Sequence, residues 1–349
     1  NLRAADVSNP ASPFWHPEFV MNVGVRCMSA NGTQLRVGAG SVTQTWETAN
    51  PASLTVLGSI DGSPAIPVQI SAGATTDYLA VGHYGLQTIS FTSPASPIVR
   101  SLRTDPLAYA SLVGQTGVNT VVFDPEINAL RVFDYTLSEA QQLRGSVSVP
   151  SGYYYLMDLT LTSGGSQKLA CLGDIVNGRI VIVDVTSPTA PVVRSTIIGS
   201  GVWRMSVTGA RLYVLSSAPE LKIYDLSNAA APVLLSTTPY GGSRFNYTCM
   251  ESWQNGSAQA VALGTAGFGL WLIDATNAAT PLVSSVHMPV PNYTVEAVTR
   301  GSSFLYVSSS EAPTDSRLES LVVTDLAHPT VHYATGPGIG ADEPGILYG

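Results

Sequence analysis

Charge is what this sequence has least of. Charged residues are 11% of its 349, only Lys168 and Lys222 are lysines, and the formal net charge is -8; an average soluble domain is roughly 25% charged. With no basic stripe to neutralise a phosphate backbone, nucleic acid is not an expected partner. No apolar run reaches the roughly 18 residues of a spanning helix, so no direct membrane insertion is expected. The N-terminus is not signal-like, and the expected setting is secreted, extracellular or cell-surface, with the chain already processed. Cysteine is scarce too: Cys27, Cys171 and Cys249 are odd in number and lack C-x-x-C spacing, which excludes a disulfide framework or an ordinary zinc site. The histidines His16, His83, His287, His328 and His332 are scattered without H-x-H or H-E-x-x-H spacing, and no G-x-S-x-G elbow occurs. Gly336, Gly338 and Gly340 of GPGIGA neither follow a buried strand nor open a helix, so that run reads as a loop. Catalysis therefore has no anchor, and no enzyme is expected. Helical periodicity persists nowhere beyond a turn or so.

What is present is a repeat. IVIVDVTSPTAP, residues 180–191, is an apolar run, an Asp, a Pro-bearing turn and the start of a second apolar run. Its near-continuous hydrophobicity predicts a strand buried on both faces. The Asp is placed to accept a hydrogen bond from the backbone two residues on, and the Pro to stop the ladder. Other copies are LRAADVSNPASP, SVTQTWETANPASL, GLQTISFTSPASPIV, LRVFDYTLSEAQ, LKIYDLSNAAAP, LWLIDATNAATP and LVVTDLAHP. Their corner acceptors are Asp6, Glu47, Ser90, Asp134, Asp184, Asp225, Asp274 and Asp325, 41 to 51 residues apart. That period belongs to four-stranded propeller blades. An apolar hairpin, strands A and B, precedes each strand C that ends in the acceptor, and strand D follows the turn.

IVIVDVTSPTAP and LRAADVSNPASP resemble the LVIVD-repeat β-propellers, secreted or surface proteins of microbes whose function is mostly unassigned. The resemblance covers nearly the whole chain at motif level and implies an all-β fold of four-stranded antiparallel blades. Residues 1–349 are expected to form one propeller domain of eight blades, seven being the alternative. The closing blade would join N-terminal strands within 1–20 to a C-terminal strand at 345–349, pairing that hides sheet edges; the alternative is pairing with a neighbouring molecule.

The D to A and B to C loops vary most, so a grafted function is expected there. Tyr84, Asp174, Tyr240 and Tyr293 are the candidate ligand or partner contacts. Asp124, Glu126 and Asn128 place three oxygens at alternating positions, as a calcium loop does, although the sixth-position Gly and twelfth-position Glu are missing. No other cofactor is implied. Tyr153, Tyr154 and Tyr155 read as a stacking platform or as strand A with alternate rings in the core. Asn31, Asn246, Asn255 and Asn292 open Asn-x-Ser/Thr triplets, glycan acceptors in a secreted eukaryotic protein. The three cysteines fall in non-adjacent blades and are expected to be unpaired and buried. Three functions compete. The first is a non-enzymatic structural or interaction subunit of a cell-surface or appendage-type assembly, contacting other protein subunits or itself. The second is a glycan- or protein-binding propeller using the variable face, and the third a lyase or hydrolase at the channel mouth.

Overall fold

β-Branched side chains crowd a helix and suit a pleated surface, and runs of them dominate this chain between Gly-, Pro- and Asn-bearing turns. The described residues of the computed structural model accordingly hold thirty strands and no α-helix. The structure describes these strands and, with their connections, the runs 119–134, 141–152, 167–199, 201–240, 258–288 and 315–335, together with residues 93, 136, 137 and 293.

β1 (Ala5–Asp6) and β2 (Phe14–Trp15) pair alone; the other strands form seven four-stranded antiparallel meanders, ordered A to D along the chain. Sheet 1 is β3 (Val25–Asn31), β4 (Gln34–Ala39), β5 (Val42–Glu47) and β6 (Thr55–Asp61). Sheet 2 is β7 (Gln69–Ala72), β8 (Thr76–Ala80), β9 (Leu86–Ser90) and β10 (Ile98–Arg103). Sheet 3 is β11 (Leu112–Thr116), β12 (Asn119–Asp124), β13 (Ala129–Asp134) and β14 (Leu143–Ser148). Sheet 4 is β15 (Tyr154–Leu161), β16 (Lys168–Asp174), β17 (Arg179–Asp184) and β18 (Val192–Ile198). Sheet 5 is β19 (Val202–Thr208), β20 (Arg211–Ser216), β21 (Glu220–Asp225) and β22 (Val233–Pro239). Sheet 6 is β23 (Tyr247–Asn255), β24 (Ala258–Thr265), β25 (Leu270–Asp274) and β26 (Leu282–His287). Sheet 7 is β27 (Thr294–Arg300), β28 (Leu305–Ala312), β29 (Asp315–Val322) and β30 (Thr330–Thr335). The strand expected at 345–349 lies outside the described residues.

The chain falls into two compact units, one of Asn1–Asp6, Trp15–Gly199 and Ala229–Ala231, the other of Val7–Phe14, Ser200–Asn228 and Pro232–Gly349. In the first, Val121, Phe123, Leu130 and Val132 of sheet 3 pack on Ala170, Leu172, Val181 and Val183 of sheet 4. In the second, Tyr213, Leu215 and Ile223 of sheet 5 pack on Val261, Leu263 and Ile273 of sheet 6, whose other face packs on Val295, Leu305 and Val307 of sheet 7. Middle strands such as β12 are buried along their whole length, because both faces of an inner strand are covered. Full burial of each such side chain is worth about 1.5 to 3 kcal/mol.

Register explains why the motif recurs. Strand D begins eight residues after the corner in Glu47↔Thr55, Ser90↔Ile98, Asp184↔Val192, Asp225↔Val233 and Asp274↔Leu282. In sheet 7 the same offset joins Val322 to Thr330. Val322, not Asp325, therefore ends that strand C, and the corner expected at Asp325 is corrected by three residues. The physical reason is loop length: seven residues, 323–329 (VTDLAHP), span the turn as 185–191 (VTSPTAP) do, with Val323 and Val185 equally buried behind it.

Every strand D of the seven sheets carries a bulge, and the residue after it is Gly58, Ser101, Gly145, Ser195, Ser236, Ser285 or Tyr333. Six of the seven are glycine or serine, and at Gly145, Ser195 and Ser285 the next sheet's C to D turn closes on them. A Cβ on Gly145 would lie 2.5 Å from the Pro188 carbonyl oxygen. Ser195 Oγ donates to the Ala229 carbonyl and Ser285 Oγ to the Leu326 carbonyl, both at 2.6 Å. All three carbonyls lie four residues past a strand C terminus. A second set of contacts joins the A strands of sheets 5, 6 and 7. Trp203 Nε1 donates to Tyr247 O at 2.8 Å, Arg204 Nε to Thr248 O at 2.6 Å, and the Thr248 hydroxyl to Val295 O.

Candidate interaction surface

At the C to D ends a short carboxylate closes the turn. Oδ1 of Asp134, Asp184, Asp225 and Asp274 accepts the amides of Thr136, Thr186, Ser227 and Thr276 at 2.7 to 3.0 Å. Asp325, inside its loop, makes the same bond to Ala327 at 2.9 Å and holds His328 Nδ1 at 3.0 Å. Arg194, the bulge residue of β18, adds a 2.6 Å ion pair to Asp184. Burial works to raise the Asp184 carboxyl, but the Thr186 hydroxyl and amide and the Arg194 guanidinium outweigh it and hold the group below its usual range. These oxygens are engaged by the fold.

The B to C ends are more varied. Asp174, expected as a ligand contact, is fully buried and closes its own hairpin. Its Oδ1 accepts the amides of Val176 and Asn177, and its Oδ2 accepts Asn177 Nδ2 at 2.8 Å and Arg179 Nε at 3.0 Å. With every oxygen occupied inside the protein, Asp174 is corrected from a ligand contact to a hairpin brace. Asp124 occupies the same position in sheet 3: Oδ1 accepts the Glu126 amide at 3.1 Å, and Arg131 Nη2 lies 3.9 Å from Oδ2. Glu126 is exposed, and Asn128, at φ 50°, accepts the Gly152 amide on Oδ1 at 3.2 Å. No group of three His, Cys, Asp or Glu side chains arranged to hold a metal occurs among the described residues.

Tyr293 is also corrected: it is buried under the sheet 6 turn, and its carbonyl accepts the Gly267 amide at 3.2 Å. Tyr240 is half-buried against Trp271, ring centroids 5.8 Å apart and nearly perpendicular, and Tyr247 meets Trp271 from beneath at 6.3 Å. Burial pushes the Tyr240 phenol well above its usual range. Tyr84 lies outside the described residues. Tyr154 is in the core, edge-on to Phe123 at 5.0 Å, with its hydroxyl donating to Pro150 O. Asn31 and Asn255 each end the first strand of a two-residue A to B hairpin, paired with Gln34 and Ala258; Asn246 and Asn292 lie outside the described residues. Cys171 is buried in β16, whereas Cys249 in β23 is only half-buried, its Sγ 3.9 Å from Val295 O.

The feature that sequence reasoning missed is on the outer strands. Of fifteen large hydrophobic side chains exposed among the described residues, eleven lie on D strands. They are Val99, Leu143, Val192, Ile198, Val233, Leu234, Leu235, Leu282, Val283, Val286 and Val331, with Leu282 67% exposed. The signal was present as the apolar pair or triplet that follows the turn in VVRS, VLLS and LVSS. A D strand has a partner on one edge only, so its apolar residues stay in solvent unless another chain covers them.

A family model, the LVIVD repeat, matches residues 199–238, nearly all of sheet 5. The computationally designed protein Ika8 superposes with a TM-score of 0.65 at 8% identity, covering 90% of this chain and 87% of that one. Sqt1 of Saccharomyces cerevisiae gives 0.63 at 10% identity, covering 89% and 85%. A chain in a crystal structure of the mitotic checkpoint complex gives 0.57 at 13%, covering 78% and 80%. The likeness is one of fold, and that fold is β-propeller-like. No curated protein sequence matches the chain.

Proposed function

We propose that this all-β repeat chain, which carries an LVIVD repeat, is a non-enzymatic protein-interaction module: a subunit of an extracellular or cell-surface assembly that packs against other protein subunits through its outer strands. The observation that carries the reading is the concentration of exposed aliphatic side chains on the D strands. An apolar row on an uncharged strand is costly in water and favourable in an interface core, where charged residues are depleted. β22 (VLLSTTP) has no ionisable side chain, and β26 (LVSSVH) has only His287, which is already held by Glu319 at 2.6 Å. The bulge in every D strand works against uncontrolled strand addition, so the contact is made by side chains. The mitotic checkpoint chain of similar fold is likewise one component of a protein complex. The low charge and near absence of lysine fit a surface covered by neighbours.

Charge insertion tests the reading. Val233→Lys with Leu282→Lys should lower the sedimentation coefficient of the purified assembly to that of a single chain without lowering the melting temperature. Unchanged sedimentation in the double variant would contradict it.

A further inference from the structure

The B to C end of sheet 6 has a second apolar feature, built differently from the D strands. Its turn, Ala266 to Gly269, is clamped by a set of internal hydrogen bonds. Thr265 N donates to Gly269 O at 3.1 Å, the Thr265 hydroxyl donates to the same carbonyl at 2.6 Å, and Phe268 N donates to that hydroxyl at 3.2 Å. Gly267 and Gly269 hold φ values of 81° and 79°, a region open to glycine and strained for L side chains. A Cβ on Gly269 would also meet His287 O and Met288 Sδ at 2.5 Å. This rigid turn holds Phe268 out of the protein at 55% exposure, with Met288 at 43% beside Gly269. Trp271 lies beneath, its Nε1 donating to Phe268 O at 3.2 Å and its ring meeting Tyr240 edge to face.

We infer that this end of sheet 6 docks an uncharged, apolar segment of a partner polypeptide, with Phe268 as the inserted anchor and Met288 and Trp271 as its flanks. The inference deepens the interaction-module reading and rests on it. A preorganised aromatic loses little freedom on binding, and aromatic and Met side chains are those enriched in interface cores. Charge decides the class of partner. Phe268, Met288, Trp271 and Tyr240 carry no charge at neutral pH, and the nearby His287 is engaged by Glu319. A charged segment would lose its hydration without gaining a counter-ion, while an apolar one loses nothing. A sugar is disfavoured because the indole and turn donors already have internal acceptors, which leaves its hydroxyls unmatched. Among the described residues of this end, the Tyr240 hydroxyl is buried without a hydrogen-bond partner.

The test is selection of a displayed random-peptide library on the whole protein, followed by titration of the enriched synthetic peptide against wild type, Phe268→Ser, Met288→Ser and Leu282→Lys. The expected result is enrichment of uncharged apolar peptides whose affinity falls at least about ten-fold in Phe268→Ser, the loss typical of a hot-spot residue. Leu282→Lys should bind normally, and melting temperatures should stay unchanged because Phe268 and Met288 are exposed. Three results would overturn the inference: no enriched peptide, equal binding by Phe268→Ser, or competition for the site by chito- or cello-oligosaccharides. A chain that is monomeric yet binds the peptide would refute the D-strand reading alone, and an assembly lost in Leu282→Lys with no peptide binding would refute this one alone.

Discussion

The B to C hairpins of sheets 3 and 4 have the same backbone and opposite electrostatics. Each starts with an Asp at the end of strand B and reverses through a left-handed residue, Asn128 or Gly178. Each has an Arg on the following strand. In sheet 4 the residue opposite Asp174 is Arg179 itself, and Asn177 stands one place before the glycine. In sheet 3 the residue opposite Asp124 is Ala129, Ile127 stands where Asn177 would, and Arg131 is a step further away. Asp174 is therefore saturated with donors. Asp124 Oδ2 is buried without a hydrogen bond, and burial, only partly offset by Arg131, pushes its carboxyl up. A buried carboxylate is as stable as the residues opposite it allow.

The comparison can be broken from the sheet 4 side. Asp174→Ala leaves Arg179 and Asn177 without their shared acceptor and should cost about 3 to 5 kcal/mol, read as a lower urea midpoint. Gly152→Ala should cost about 1 to 3 kcal/mol, because the new Cβ would overlap Asp174 Oδ2 and Arg179 Nη2. It can be sharpened from the sheet 3 side. Ile127→Asn supplies the missing donor, so it should stabilise by about 0.5 to 1.5 kcal/mol and bring the Asp124 carboxyl down in an NMR titration.

The smallest effect is that of Asp124→Asn, and its size depends on pH. A carboxyl raised in the folded state is protonated in both states at low pH and contributes nothing. As pH rises from the unfolded value through the folded one, the unfolded chain ionises first and stability falls. The variant should therefore match wild type near pH 3, gain on it as pH rises from the unfolded value to the folded one, and keep the full difference above that. Asp184 has the opposite sign: its lowered carboxyl stabilises at neutral pH, and the contribution is lost as pH falls through the folded value. A wild-type advantage at neutral pH over Asp124→Asn would contradict the assignment.

The repeat and its four strands were legible because the pattern is local: a β-branched run, an Asp and, in its commonest form, three residues and a Pro. Asp184 and Asp225 could be assigned from their own neighbourhoods. Asp325 could not, since LVVTD imitates the motif while register, set by strand pairing, puts Val322 at the corner. Asp174 and Tyr293 looked like exposed loop groups, but hairpin register sets the first opposite Arg179, and tertiary packing puts the second under the sheet 6 turn. The exposure of the apolar D strands was illegible for a similar reason, because an outer strand and an inner one share a composition. Exposure depends on whether a further strand follows.

Light scattering of the purified chain across a dilution series tests the central claim most directly. The account predicts an oligomer or polymer whose mass per particle survives dilution, and survives added salt as well because apolar D-strand contacts do not depend on charge. A monomer at every concentration, with no partner protein restoring a larger species, would contradict it.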